Sequence, residues 1–90
     1  MITKEVARKL AEEYLKQNSR DFTFIDSNDK IYFEETHVIP FGAKLGEVHS
    51  TYSIGFGEVW GDEVKVSFVM LDAKDGAILY LITPQKFVNP

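Results

Sequence analysis

The chain holds few residues whose types and spacing could support a reaction. Its two histidines, His37 and His49, have no second ligand at the i,i+4 spacing that puts two metal ligands on one helix face. Glu34 and Glu35 are adjacent, so in a strand their carboxylates point to opposite faces and do not form a catalytic pair. We therefore expect these four side chains to lie at the surface or at a strand edge, and we predict no catalytic residue and no metal site.

Other short motifs also lack the context that their chemistry needs. The oxygen-rich segment 26–30 (DSNDK) is too short for an EF-hand calcium loop and lacks its closing glutamate. The glycines of segment 55–61 (GFGEVWG) lie in a predicted strand, whereas a phosphate-binding loop joins a strand to a helix. Ser50, Ser53 and Ser67 are not in a nucleophile elbow. The sequence thus predicts a protein that is not an enzyme and has no cofactor.

Composition narrows the possible partners and the compartment. The 90 residues carry a net charge of −4, which argues against nucleic acid and an anionic membrane surface as partners. There are no cysteines, and the start of the chain is charged and amphipathic, unlike a secretory signal. The longest apolar run, AILYLI, is far too short to span a membrane. We expect one domain, residues 1–90, in the cytoplasm.

An amphipathic helix opens the chain, predicted over residues 3–18. Thr3 is its expected N-cap, and Asn18 and Ser19 end it. Apolar residues recur at the helical period and form one stripe: Val6, Ala7, Leu10, Ala11, Tyr14 and Leu15.

Strands follow the helix. Two apolar segments around the polar turn SNDK predict a hairpin over residues 22–39, and residues 40–47 form a loop. The next hairpin turns at Gly61–Asp62 with type II′ geometry, which places Trp60 opposite Glu63. A five-residue turn at 72–76 then places Met70 opposite Ile78.

Both faces of this predicted sheet are apolar. One face is expected to receive the helix through Val6, Leu10 and Tyr14. That face consists of Val59, Val64, Val66, Phe68, Met70, Ile78, Tyr80 and Ile82. The opposite face consists of Tyr52, Ile54, Phe56, Trp60, Val69, Leu71, Leu79 and Leu81. A monomer rarely exposes so large an apolar area, so three covers stay open: the chain's own residues 22–47, a second copy, or a partner protein or apolar ligand.

The two ends of the chain resemble known families. The segment WGDEVKVSFVMLDAKDGAILYL, with its turn at residues 71–76, looks like the end of a PepSY-type domain. The opening MITKEVARKLAEEYL resembles the first helix of PepSY domains and of YrhB-like small bacterial immunity proteins. In both groups a helix packs on an antiparallel sheet, and the resemblance implies protein binding without catalysis.

The combined prediction is an α+β fold in which an N-terminal helix packs on a four- to five-stranded antiparallel sheet, cystatin-like or PepSY-like. The predicted function is a non-catalytic protein-binding module of the inhibitor or immunity kind, with a partner protein or a second copy as its target. The predicted partner-binding residues are Tyr52, Ile54, Phe56, Trp60, Leu79 and Leu81. The alternative is a small-ligand-binding or sensory domain with a pocket between helix and sheet.

Overall fold

Helix α1 occupies Lys4–Gln17, within one residue of its predicted bounds. Thr3 caps its N-terminus as expected, because the Val6 N–H donates to the Thr3 hydroxyl at 3.2 Å. Asn18 ends the helix, and its side-chain amide donates to the carbonyl oxygen of Tyr14 at 2.9 Å. The local capping chemistry that the sequence displays is therefore what sets the length of α1.

The computed structural model describes all of residues 1–90 and confirms the α+β class, with α1 packed on a single antiparallel sheet of six strands. No helix in the molecule is long and apolar enough to cross a membrane. The strands are β1 (Phe24–Ile25), β2 (Tyr32–Val38), β3 (Val48–Trp60), β4 (Glu63–Asp72), β5 (Ile78–Ile82) and β6 (Phe87–Val88).

The predicted hairpin over residues 22–39 is wrong. Strands β1 and β2 do not pair with each other; both pair with β3, one after the other along the same edge. Between them the chain makes a 3₁₀ turn at Asn28–Lys30 instead of reversing its direction. The thirteen-residue length of β3 makes this possible, because it offers β2 the segment 48–53 and still pairs β1 at residues 56–57.

The hairpin of β3 and β4 has the predicted register. Trp60 lies opposite Glu63, and the pairing continues without a bulge to the other end of β4. Gly61 has a φ of +64°, which a type II′ turn requires at its first central residue. Two-residue turns leave little freedom in strand pairing, so this register follows from local sequence alone.

The predicted register of β4 and β5 is wrong by two residues. Met70 lies opposite Tyr80 instead of Ile78, and a bulge separates Met70 from Leu71 along the ladder. The Asp72 N–H donates to the carbonyl of Ala77 at 2.8 Å, which closes the turn one residue earlier than predicted. The bulge then adds the second residue of the shift.

Helix α1 covers the face opposite to the one predicted. Its fully buried contacts are Ala7, Ala11 and Leu15. Of the three predicted contact residues, Leu10 and Tyr14 are half-buried and pack against this core, whereas the exposed fraction of Val6 is 45%. The small alanines allow the helix backbone to approach the large side chains of the sheet. The resulting core is Ala7, Ala11, Leu15, Ile31, Tyr52, Ile54, Phe56, Val69, Leu71, Ala73 and Leu81.

A second, smaller cluster lies on the other side of the sheet, where the chain before β3 folds back over one end. Ile39 and Phe41 pack there against Tyr80, and Ile39 is 1% exposed. Met70 and Leu79 complete the cluster. The chain thus covers one end of the face that α1 leaves free, as the predicted loop at 40–47 allows.

Candidate functional site

The rest of the face opposite α1, called here the open face, exposes a continuous set of apolar side chains. Strand register places them in adjacent rows across β1, β3, β4, β5 and β6. Apart from the half-buried Ile82, their exposed fractions run from 36% at Phe68 to 63% at Val59. This set, the apolar patch, consists of Phe24, Val59, Val64, Val66, Phe68, Ile82 and Phe87.

Two glycines of β3 shape the floor of the apolar patch. A Cβ on Gly57 would lie 2.4 Å from a ring carbon of Phe24, and a Cβ on Gly55 would lie 2.7 Å from Oδ2 of Asp26. Gly57 makes room for the ring of Phe24, which lies opposite it on β1. The patch is therefore shallow, since the aromatic ring lies close to the sheet.

The apolar patch is large and has a single carboxylate, that of Asp26, at its border. With the exposed fractions of its seven members, it presents roughly 500 Å² of apolar surface, the upper end of what monomers leave open and often a functional surface. One carboxylate borders the patch, because the Asp26 side chain lies over Gly55, the cross-strand neighbour of Phe68. A surface of this kind suits contact with another apolar protein surface.

The six predicted partner-binding residues do not form this surface. Five of them, Tyr52, Ile54, Phe56, Leu79 and Leu81, are at most 8% exposed. All but Leu79 of these five lie in the core beneath α1, because the helix occupies the face that the sequence analysis left open. Leu79 packs in the smaller cluster, and Trp60 alone is partly exposed, beside the Gly61 turn. The predicted residues therefore do not form one exposed surface.

Both histidines are more buried than the sequence indicated. His37 on β2 lies between two groups: its Nε2 is 2.7 Å from the hydroxyl of Tyr80, and its Nδ1 is 3.1 Å from Glu34. Burial raises the pKa of Tyr80, and the charge of Glu34 adds to that effect. Tyr80 therefore stays protonated at neutral pH. Its hydroxyl is hydrogen-bonded to His37 at the end of the sheet that Ile39 and Phe41 cover.

His49 joins two carboxylates. Its Nε2 lies 2.9 Å from Glu47 and its Nδ1 lies 2.8 Å from Asp72. These hydrogen bonds, with Glu47 the larger cause, raise the pKa of His49. Burial alone would raise the pKa of Asp72, but the Lys74 N–H and His49 outweigh it and leave that pKa lowered.

Both ring nitrogens of His49 are hydrogen-bonded, so its side chain links Glu47, just before β3, to Asp72 at the end of β4. No group of three or more histidine, aspartate or glutamate side chains is placed to hold a metal ion.

The two pockets described next lie at the protein surface and not between α1 and the sheet. The largest, of about 520 Å³, is bordered by residues 82–87, and another is bordered by Lys16 and residues 19–22. The interface between helix and sheet is instead filled by fully buried side chains such as Leu15, Phe56 and Leu71. The alternative interpretation of the sequence expects a pocket between helix and sheet, and neither of these two pockets lies there.

No protein-family model, curated protein or solved structure matches this chain. The fold itself defines the class: an α+β protein in which one helix covers one face of an open antiparallel sheet. The candidate site is then defined by what that helix leaves uncovered, the apolar patch.

Proposed function

We propose that this chain is a non-catalytic protein-binding module, and that the apolar patch is its binding surface. One observation carries the proposal: seven apolar side chains lie side by side on an uncovered sheet face, with the Asp26 carboxylate at their border. Water contact with such a surface is unfavourable by about 25 cal/mol per Å². A partner that covers the patch recovers that free energy.

The position of the patch on paired strands favours binding. Val64, Val66 and Phe68 lie on β4, and their backbone is held by continuous pairing with β3. Little conformational entropy is lost when a rigid surface binds, whereas a flexible loop loses much more. The rings of Phe24 and Phe87 add aromatic contact area, which protein interfaces favour.

The charge distribution indicates the kind of partner. The chain carries −4 overall, and the patch consists of apolar side chains with the Asp26 carboxylate at its border. Long-range attraction then favours a basic protein, and the apolar contact provides most of the affinity. An inhibitor or immunity-like role in the cytoplasm fits this arrangement, because such a protein occludes its target without chemistry. It also agrees with the resemblance at the chain ends and with the absence of cysteines.

The test is to introduce a photo-cross-linking amino acid at Val66 in the patch and, as a matched control, at Val48. Both are exposed strand valines, at 47% and 59%, but Val48 lies outside the patch. We expect the Val66 probe to capture a defined protein that the Val48 probe does not.

That protein is then purified, and its affinity is measured by calorimetry for the wild type, Val66→Lys and Val48→Lys. We expect Val66→Lys to weaken binding at least about tenfold, with a negative heat-capacity change for the wild type, since apolar surface is buried. Equal affinities for the two lysine variants would overturn the proposal.

A further inference from the structure

The outer half of β4 has a free edge. Strand β5 pairs only with residues 68–71, so residues 63–67 have β3 on one side and no strand on the other. The edge contains no proline and no bulge, which are two of the usual protections against pairing with another chain.

The backbone groups that face this edge can be identified. The two-residue turn makes Trp60 and Glu63 a hydrogen-bonded pair, and such pairs alternate along an antiparallel ladder. Farther along, the Ala73 N–H donates to Ser50 on the β3 side, and the Asp72 N–H donates to Ala77 on the opposite side. By this alternation, Val64 and Val66 direct their N–H and C=O groups away from β3, toward solvent.

The side chains of the edge are complementary to themselves. In an antiparallel pair of two copies with Val64 on the two-fold axis, Glu63 of each copy lies opposite Lys65 of the other. With Lys65 on the axis, two lysines would lie opposite each other, which is unfavourable. Within one chain, Lys65 and Glu63 form an exposed ion pair with 3.6 Å between their charged atoms, and pairing of two copies would add an opposite charge from the other copy to each.

We propose that a second copy of this chain pairs with the 63–67 edge, antiparallel and with Val64 on the two-fold axis. This inference goes beyond the proposed function, although it involves the same strand. Residues directly opposite each other share a sheet face, so the two apolar patches would lie on the same side of one continuous sheet.

Disulfide cross-linking tests the geometry, because the chain has no cysteine of its own. Paired residues on the axis have Cα atoms about 5.5 Å apart, within the range that a disulfide spans. Under mild oxidation we expect Val64→Cys to form several-fold more covalent dimer than Val59→Cys, its exposed cross-strand neighbour one strand farther from the axis. Equal cross-linking of these two variants, or faster cross-linking of Lys65→Cys, overturns the proposal.

Charge reversal provides a second test that leaves the fold intact, with thermal melts as the check. We expect the wild-type mass, measured by light scattering on a sizing column, to rise from one chain toward two with concentration. Lys65→Glu should hold it at one chain, and Glu63→Lys with Lys65→Glu should restore the dimer. A wild type that stays at one chain mass at millimolar concentration overturns the inference.

The two proposals fail separately. A monomeric chain that still binds its partner through Val66 overturns only the pairing of copies. A chain that dimerises through Val64 but whose partner affinity does not respond to Val66→Lys overturns only the proposed binding surface.

Discussion

Asp26 pairs with Gly55 through both its side chain and its backbone, in place of a regular strand pair. The Gly55 N–H donates to the Asp26 carboxylate at 2.8 Å, and the Asp26 N–H donates to the Gly55 carbonyl at 2.8 Å. The gap between β1 and β2 along the edge of β3 is thereby closed by hydrogen bonds. Arg8 adds a bond from its Nε to the Asp26 carbonyl, which ties this junction to α1.

Removing the Asp26 carboxylate should destabilise the fold. Asp26→Ala leaves the N–H of the buried Gly55 without an acceptor, so we expect a loss of about 1–3 kcal/mol in the free energy of unfolding. Asp26→Asn keeps an acceptor oxygen and should lose less. Urea denaturation followed by the fluorescence of Trp60 measures both, and an alanine variant as stable as the asparagine variant would contradict this role.

The hydrogen bonds of His49 to Glu47 and Asp72 should make the stability of the fold depend on pH. The pKa of His49 is raised in the folded protein. The stability that protonated His49 contributes is therefore complete below about pH 6.5, the pKa of an unfolded histidine. This stability is lost as pH rises through the pKa of the folded state. Because the pKa of Asp72 is lowered, its contribution is present above about pH 3.9 and is lost as pH falls through the lower folded value.

His49→Gln should therefore be less stable than the wild type near pH 5.5, by about 1 kcal/mol. The two proteins should become equally stable as pH rises past the raised pKa of His49. Thermal melts of both proteins from pH 4 to 9 measure this. A difference that stays constant across the range would mean that His49 contributes by packing and not by its charge.

The ion pair of Arg20 and Glu58 should matter more than the exposed pair of Lys65 and Glu63. Arg20 lies 2.8 Å from Glu58, both side chains are largely buried, and the Ser67 hydroxyl also donates to Glu58. Arg20→Gln leaves a poorly hydrated carboxylate and should cost about 1–2 kcal/mol. Lys65→Gln should change stability by less than about 0.5 kcal/mol. Denaturant titration compares them, and equal effects would contradict the difference in burial.

The apolar patch should bind an environment-sensitive apolar dye. Val66→Lys should reduce the dye fluorescence, whereas Val48→Lys should leave it unchanged, because only Val66 belongs to the patch. Both variants should keep their stability within about 0.5 kcal/mol, since each side chain is exposed. A reduction of the same size in both would place the dye elsewhere.

The parts of the fold that sequence predicted are those determined by near neighbours. Thr3 and Asn18 set the ends of α1, and the Gly61 turn sets the register of β3 with β4. Each of these depends on a few adjacent residues whose backbone preferences are strong. The β4–β5 register failed because the bulge beside Met70 leaves no comparable signal in the sequence.

Periodicity could not show which face of the sheet the helix covers. For the same reason, most of the predicted partner-binding residues are buried. Both faces are apolar, so the apolar stripe of the helix could cover either one. The choice depends on three-dimensional fit. Ala7 and Ala11 meet the face that carries Phe56, while the other face has Gly55 and Gly57 in place of large side chains. More apolar surface leaves water in this arrangement.

The long strand β3 also determines when the molecule can fold. Strands β1 and β2 have no sheet partner other than β3, and the core beneath α1 needs Tyr52, Ile54 and Phe56 from the same strand. A growing chain must therefore reach residue 48 before any strand pair can form. Folding of the sheet and of the core beneath α1 is therefore coupled to the synthesis of one strand in the middle of the chain.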